Sequence, residues 1–149
     1  MNHILLPLIA FAAVAAIAAQ ASLNAQLGVL LRSPLLATVV AFFSSLIFTV
    51  IACAAIVKNL PSADTLKTIP YYLWFSGGLL STFGIATFYW LIPKMGIGPM
   101  LSYALAGQLI LAMLAGHFGW FQLSVIPIST LQIAGVFSLI LGIALINNG

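Results

Sequence analysis

Carboxylates are nearly missing from this 149-residue chain, which has one acidic side chain, Asp64, against four Lys or Arg. Exchange of a proton for a cation within a membrane needs a buried Asp or Glu whose pKa can be moved toward the working pH, and no such residue is present. A paired-carboxylate enzyme is excluded for the same reason. No Ser or Cys stands with a base in a catalytic pattern either, so the chain does not read as an enzyme. Cys53 is the one cysteine. It rules out an internal disulfide and a Cys-based metal cluster, and its apolar setting predicts a buried thiol. No cofactor and no metal are expected. Charged residues of both signs make up 3% of the chain, against about 25% in soluble domains. The five of them, Arg32, Lys58, Asp64, Lys67 and Lys94, all fall between apolar runs, so the basic balance describes loops and not a nucleic-acid surface.

What fills the chain is hydrocarbon: 64% of residues are hydrophobic, with a mean hydropathy of +1.26. The apolar runs are continuous over twenty residues or more, where barrel strands would alternate over about ten, so the spanning elements are helices. Five are predicted, over residues 4–31, 35–57, 71–92, 100–116 and 130–146. This is an all-α membrane protein, a bundle of five transmembrane helices forming one domain over residues 1–149. Ala19-Gln20-Ala21 resembles a signal cleavage site, but Met1-Asn2-His3 lacks a basic n-region and more spans follow, so the first run reads as a transmembrane helix.

That first helix is the unusual one. Ala12, Ala16, Gln20, Asn24 and Gly28 recur every four residues and form a stripe, with Ser22 and Gln26 as a second pair. Unpartnered amides in lipid cost several kcal/mol, on the order of 2 to 7. They act either as interhelical glue, worth about 0.6 kcal/mol each, or as the lining of a polar cavity. Helix 4 offers Gln108 near its middle, on a stripe with Ala104, Ala112 and Gly116, and Tyr103 adds a hydroxyl nearby. Small residues at four-residue spacing predict packing faces on helix 2 (Ala37, Ala41, Ser45, Thr49, Cys53) and helix 5 (Thr130, Ala134, Ser138, Gly142), and Gly77, Ser81 and Gly84 predict one on helix 3. Tyr71, Tyr72, Trp74, Tyr89 and Trp90 bracket helix 3 as interfacial aromatics. Ser33-Pro34 reads as a helix start, and the two prolines and two glycines between Pro93 and Pro99 as a break. Asp64 is a solvated loop charge. His3 reads as a solvated terminus; His117 is either an interfacial aromatic or a residue with a gating or proton role, histidine being the side chain that changes charge near neutral pH.

Five spans put the loops holding Arg32 and Lys94 on one side and those holding Lys58 and Lys67 on the other. Orientation follows an excess of Lys and Arg on the cytoplasmic side, and here the count is even. Either the orientation is set by something other than charge, or the chain inserts both ways and pairs with itself antiparallel, giving a ten-helix unit with the inverted-repeat symmetry of transporters.

The run Asn24-Ala25-Gln26-Leu27-Gly28, then Ser33-Pro34-Leu35-Leu36-Ala37 and Phe42-Phe43-Ser44, resembles the first half of the YdcZ-like family of small bacterial inner-membrane proteins, within the drug/metabolite transporter superfamily. Gly77-Gly78-Leu79-Leu80, Pro93-Lys94-Met95-Gly96, Gly107-Gln108-Leu109 and His117-Phe118-Gly119 match the second half in order. The resemblance implies a five-helix half-transporter of the inner (plasma) membrane that pairs into a ten-helix unit. Two positions depart from the pattern. Gly116 stands where an acidic residue is expected and Gln132 where an Arg is, which removes carboxylate-based proton coupling.

The reading is a small-solute transporter working as a dimer in the lipid bilayer, with a substrate site lined by Gln20, Asn24, Gln108 and Tyr103. Amides donate and accept, which suits a neutral polar or weakly charged metabolite better than a strong cation. The alternatives are a small dual-topology ion channel, with amides lining a narrow pore, and a non-transporting membrane subunit of a hetero-oligomer.

Overall fold

The computed structural model describes residues 4–122 and 124–148; the expectation for His3 lies outside them. Among the described residues the regular structure is helical: α1 (Leu5–Leu30), α2 (Pro34–Ile56), a short α3 (Ala63–Thr68), α4 (Tyr71–Met95), α5 (Ile97–Phe118), a 3-10 turn (Trp120–Gln122) and α6 (Thr130–Asn148). All but α3 and the 3-10 turn are long and apolar enough to cross a membrane. Packing gathers the chain into two compact units, Met1–Lys94 and Met95–Gly149.

In the first unit α1 and α2 form a hairpin closed by three residues. The Ser33 amide donates to Gly28 O at 2.9 Å and the Arg32 amide to Val29 O at 3.0 Å, the paired bonds that end a helix through a left-handed residue. That residue is Arg32, at φ 51°. Ser33 then caps α2, its hydroxyl accepting from the Leu36 amide at 3.2 Å, and Pro34 occupies the first turn, where its missing N–H costs nothing. Next to the turn the helices pack through Ala21, Ala25 and Gly28 of α1 and Ala37 and Ala41 of α2. Gly28 lets the turn approach closely: a Cβ on it would lie 3.4 Å from Pro34 Cα and 3.5 Å from Ala37 Cβ, in ordinary van der Waals contact, with little room for anything larger. α4 lays Tyr89 into this alanine cluster, with Ile85, Phe88 and Ile92 around it.

Several expected packing faces are not the ones used. Ala12 and Ala16 are exposed, as are Ser45, Thr49 and Cys53, so the predicted buried thiol is an exposed one; the small-residue contact holds only near the turn, where the hairpin is pinned. The Gly77 and Gly84 positions have open space around them, because α4 packs through its Ile85–Phe88–Ile92 edge. Tyr89, expected at the membrane interface, is 1% exposed. α4 also passes through Pro93 and stops at Met95, three residues beyond the predicted end. A proline in a last turn forfeits only its own hydrogen bond, and the break comes instead at Gly96, whose φ of 86° no L-residue adopts easily.

The loop before α4 holds the short α3, capped by Ser62 through the Thr65 amide at 3.2 Å. Lys67 pairs with Asp64 at 3.3 Å on its exposed surface. In the second unit α6 returns along α5. It opens with a capping box in which Gln132 N donates to Ser129 Oγ at 3.2 Å and Ser129 N to Gln132 Oε1 at 2.9 Å. Its half-buried and buried residues are Val136, Leu139, Gly142, Ile143 and Asn147: of the expected Thr130–Ala134–Ser138–Gly142 face only Gly142 is among them, and bulky side chains fill most of the contact with α5.

Candidate functional site

The polar centre of the first unit is made by three side chains. Gln20 Nε2 and Asn24 Nδ2 both donate to the hydroxyl of Tyr89, each at 2.9 Å. The four-residue spacing on α1 puts the two amides one above the other, and the seating of Tyr89 among Ala21, Ala25, Ala37 and Ala41 brings its hydroxyl to them. Asn24 is half-buried and Gln20 more open. Along α1, Asn24 and Gln20 stand about 9 and 15 Å from Leu30, at about 1.5 Å per residue, so both fall within the hydrocarbon.

Counting donors and acceptors shows what this cluster still offers. The Tyr89 oxygen accepts two N–H groups and keeps its own O–H to give; each amide keeps a second N–H and its carbonyl oxygen. Among the described residues no further side-chain hydrogen bond is made by these groups. The cluster is therefore held in place yet carries both donors and acceptors for a third party. Ser22, by contrast, turns back to Ala18 O at 3.0 Å and has its need met locally.

Tyr89 is the residue that sequence reasoning missed. The signal for it was its register: three or four residues from Ile85 and Ile92, it belongs to the apolar edge of α4, and only the adjacent Trp90 makes the pair look interfacial. The other two expected site residues, Gln108 and Tyr103, belong to the second unit. Both are exposed on α5, and neither makes a side-chain hydrogen bond among the described residues.

His117 has a definite structural task. Its Nδ1 accepts from the Ile128 amide at 3.2 Å, and Ile126 N donates to Gly116 O at 2.9 Å, so the α5–α6 connection is fastened at two points to the end of α5. Gly119, at φ 65°, ends that helix in the left-handed conformation. The imidazole also borders an apolar groove of about 270 Å³ lined by Met113, Leu114, Val136 and Phe137 among others. Nδ1 serves here as the acceptor, so the ring presents its lone pair to the connection.

No curated protein and no solved structure matches the chain. A family model does, over residues 5–145, described as "Putative inner membrane exporter, YdcZ". That span takes in α1, α2, α4, α5 and all but the last three residues of α6, with both the Tyr89 cluster and His117. The chain belongs to the YdcZ family of inner-membrane exporters.

Proposed function

We propose that this protein exports a small polar solute, and that Gln20, Asn24 and Tyr89 form one half of the binding site. The observation that carries this is the pair of amides converging at 2.9 Å on one buried hydroxyl. A cluster serving only as glue would spend its donors and acceptors on itself, whereas this one keeps several of each. The set is neutral, which favours a neutral or weakly charged metabolite over a strong cation needing a buried counter-charge.

The working unit is an antiparallel homodimer of five-helix halves, a ten-helix inverted repeat. Three features support it: the even division of Lys and Arg between the two sets of loops, the open Gly77–Gly84 face of α4, and Gln108, an amide in the middle of an apolar helix with no side-chain hydrogen bond among the described residues. Pairing would give Gln108 and Tyr103 a site to complete, and His117, which fastens the α5–α6 connection, would have a gating role beside it.

The test begins with a thermal-shift screen of metabolites against the purified protein, since a ligand that binds only the folded state raises the melting midpoint. The ligand found is then followed into reconstituted vesicles. Uptake with electrical silence is expected; large currents would make the protein a channel instead. Normal transport by Asn24→Ala would place the site elsewhere. Dual orientation is checked in a Cys53→Ala background with single cysteines at Lys58 and Lys94, each of which should label from both sides of the membrane.

A further inference from the structure

At the turn end of the first unit, Arg32 and Lys94 line one groove of about 220 Å³, with Gly28, Trp90 and Tyr89 among its walls. Two like charges sharing a groove repel, and a chain normally answers them with a carboxylate. Here none is left to do so: the one acidic side chain, Asp64, is on α3 with Lys67. Lys94 Nζ instead rests 3.9 Å from the centre of the Trp90 ring, a contact that holds the cation on another residue lining the groove without neutralising it. Arg32 is held at φ 51°, in a helix-ending position that ordinarily goes to glycine. The chain accepts that conformation and keeps a guanidinium there.

We propose that this groove is an oxyanion site, taking a phosphate-type group between the Arg32 guanidinium and the Lys94 ammonium. Arg supplies a planar fork of donors that fits two oxygens, and Lys a mobile point charge. The volume equals that of about seven water molecules, enough for a headgroup and below the roughly 300 Å³ at which pockets for drug-sized ligands begin. Trp90 at the mouth suits the headgroup level of a bilayer. The phosphate has two sources, an anionic phospholipid or a soluble phosphate compound. The proposal rests on the groove alone and not on the transport reading.

The experiment is a melting titration of the purified full-length protein at low ionic strength, with phosphatidylglycerol in detergent, inorganic phosphate and glycerol phosphate as separate probes. The wild-type midpoint should rise saturably with at least one of them. A rise with phosphatidylglycerol alone assigns the lipid source; a rise with either soluble probe assigns the solute. Arg32→Gly and Lys94→Gln should each weaken the response about tenfold, the size of one lost charge-assisted hydrogen bond, while Lys67→Gln should respond as wild type. Glycine suits the backbone at position 32, so R32G should melt no lower than wild type without probe, and K94Q leaves the turn untouched. The proposal is overturned if no probe gives a saturable rise in the wild type, or if R32G and K94Q both respond as the wild type does. Neither result bears on the amide cluster, which is read by transport in Asn24→Ala.

Discussion

α1 and α5 both carry amides in the middle of otherwise apolar helices, and the two cases come out differently. On α1, Gln20 and Asn24 meet a hydroxyl delivered by another helix of the same unit. On α5, Gln108 meets nothing within hydrogen-bonding range among the described residues. The spacing of small residues around them is similar, Ala16 and Gly28 flanking the pair on α1 and Ala104 and Ala112 the single amide on α5. Helical register can say that an amide faces inward, but its partner is a tertiary fact. An amide left bare in lipid is costly, so the contrast between the helices is itself a reason to expect α5 to find its partner beyond its own unit.

The largest effect expected on this contrast is from truncating the amides. Asn24→Ala and Gln108→Ala should each abolish binding of the ligand found by thermal shift, read as the loss of the midpoint rise, while leaving expression and elution on size-exclusion chromatography unchanged. Loss in Asn24→Ala alone would confine the site to α1 and α4 and break the symmetry argued for α5. Next in size is Tyr89→Phe, which strands two donors at once. Hydrogen bonds between membrane helices average about 0.6 kcal/mol, so a loss of about 1 kcal/mol is expected in reversible unfolding, against no loss for Gln108→Ala unless the dimer is also being measured.

An effect of similar size is expected at the α5–α6 connection. His117→Ala removes the acceptor of the Ile128 amide, and the lost bond should lower stability in reversible unfolding by about 1 kcal/mol; an unchanged value would remove the fastening role. The smallest effect belongs to Gly28→Ala. Helix propensity favours it by about 0.5–1 kcal/mol, and the new methyl would meet Pro34 at an ordinary contact distance of 3.4 Å, so stability should be unchanged or raised by less than about 1 kcal/mol. Gly28→Leu carries three more carbons into the same contact and should lower the yield of folded protein.

Much of the fold was legible because its signals are local. The helices follow from uninterrupted hydrocarbon, and the hairpin turn from Ser33-Pro34, whose cap and first-turn proline act within four residues. The packing faces were less legible. Small residues at four-residue spacing permit close approach but do not require it, and α6 settles on Val136, Leu139 and Ile143 while Ala134 and Ser138 stay out. Of the site, the α1 amides could be read from their cost in lipid. Tyr89 could not, since a tyrosine beside a tryptophan near a helix end satisfies the interfacial pattern equally well, and only the alanine pocket that receives it tells the two apart. The substitution of Gln132 for an expected Arg proved to have a local meaning, as half of a capping box.

The Tyr89 bridge also bears on how the protein is made. Its bonds to Asn24 and Gln20 join residues 65 and 69 positions apart. During synthesis at about 5–20 residues per second, α1 therefore waits roughly 3 to 14 s after emerging before its hydroxyl partner exists. Through that interval the α1–α2 hairpin must reside in the bilayer with both amides unanswered by α4. Biogenesis thus favours a first helix apolar enough to tolerate the delay, and a further polar substitution on α1 would be felt at insertion before it was felt in the finished transporter.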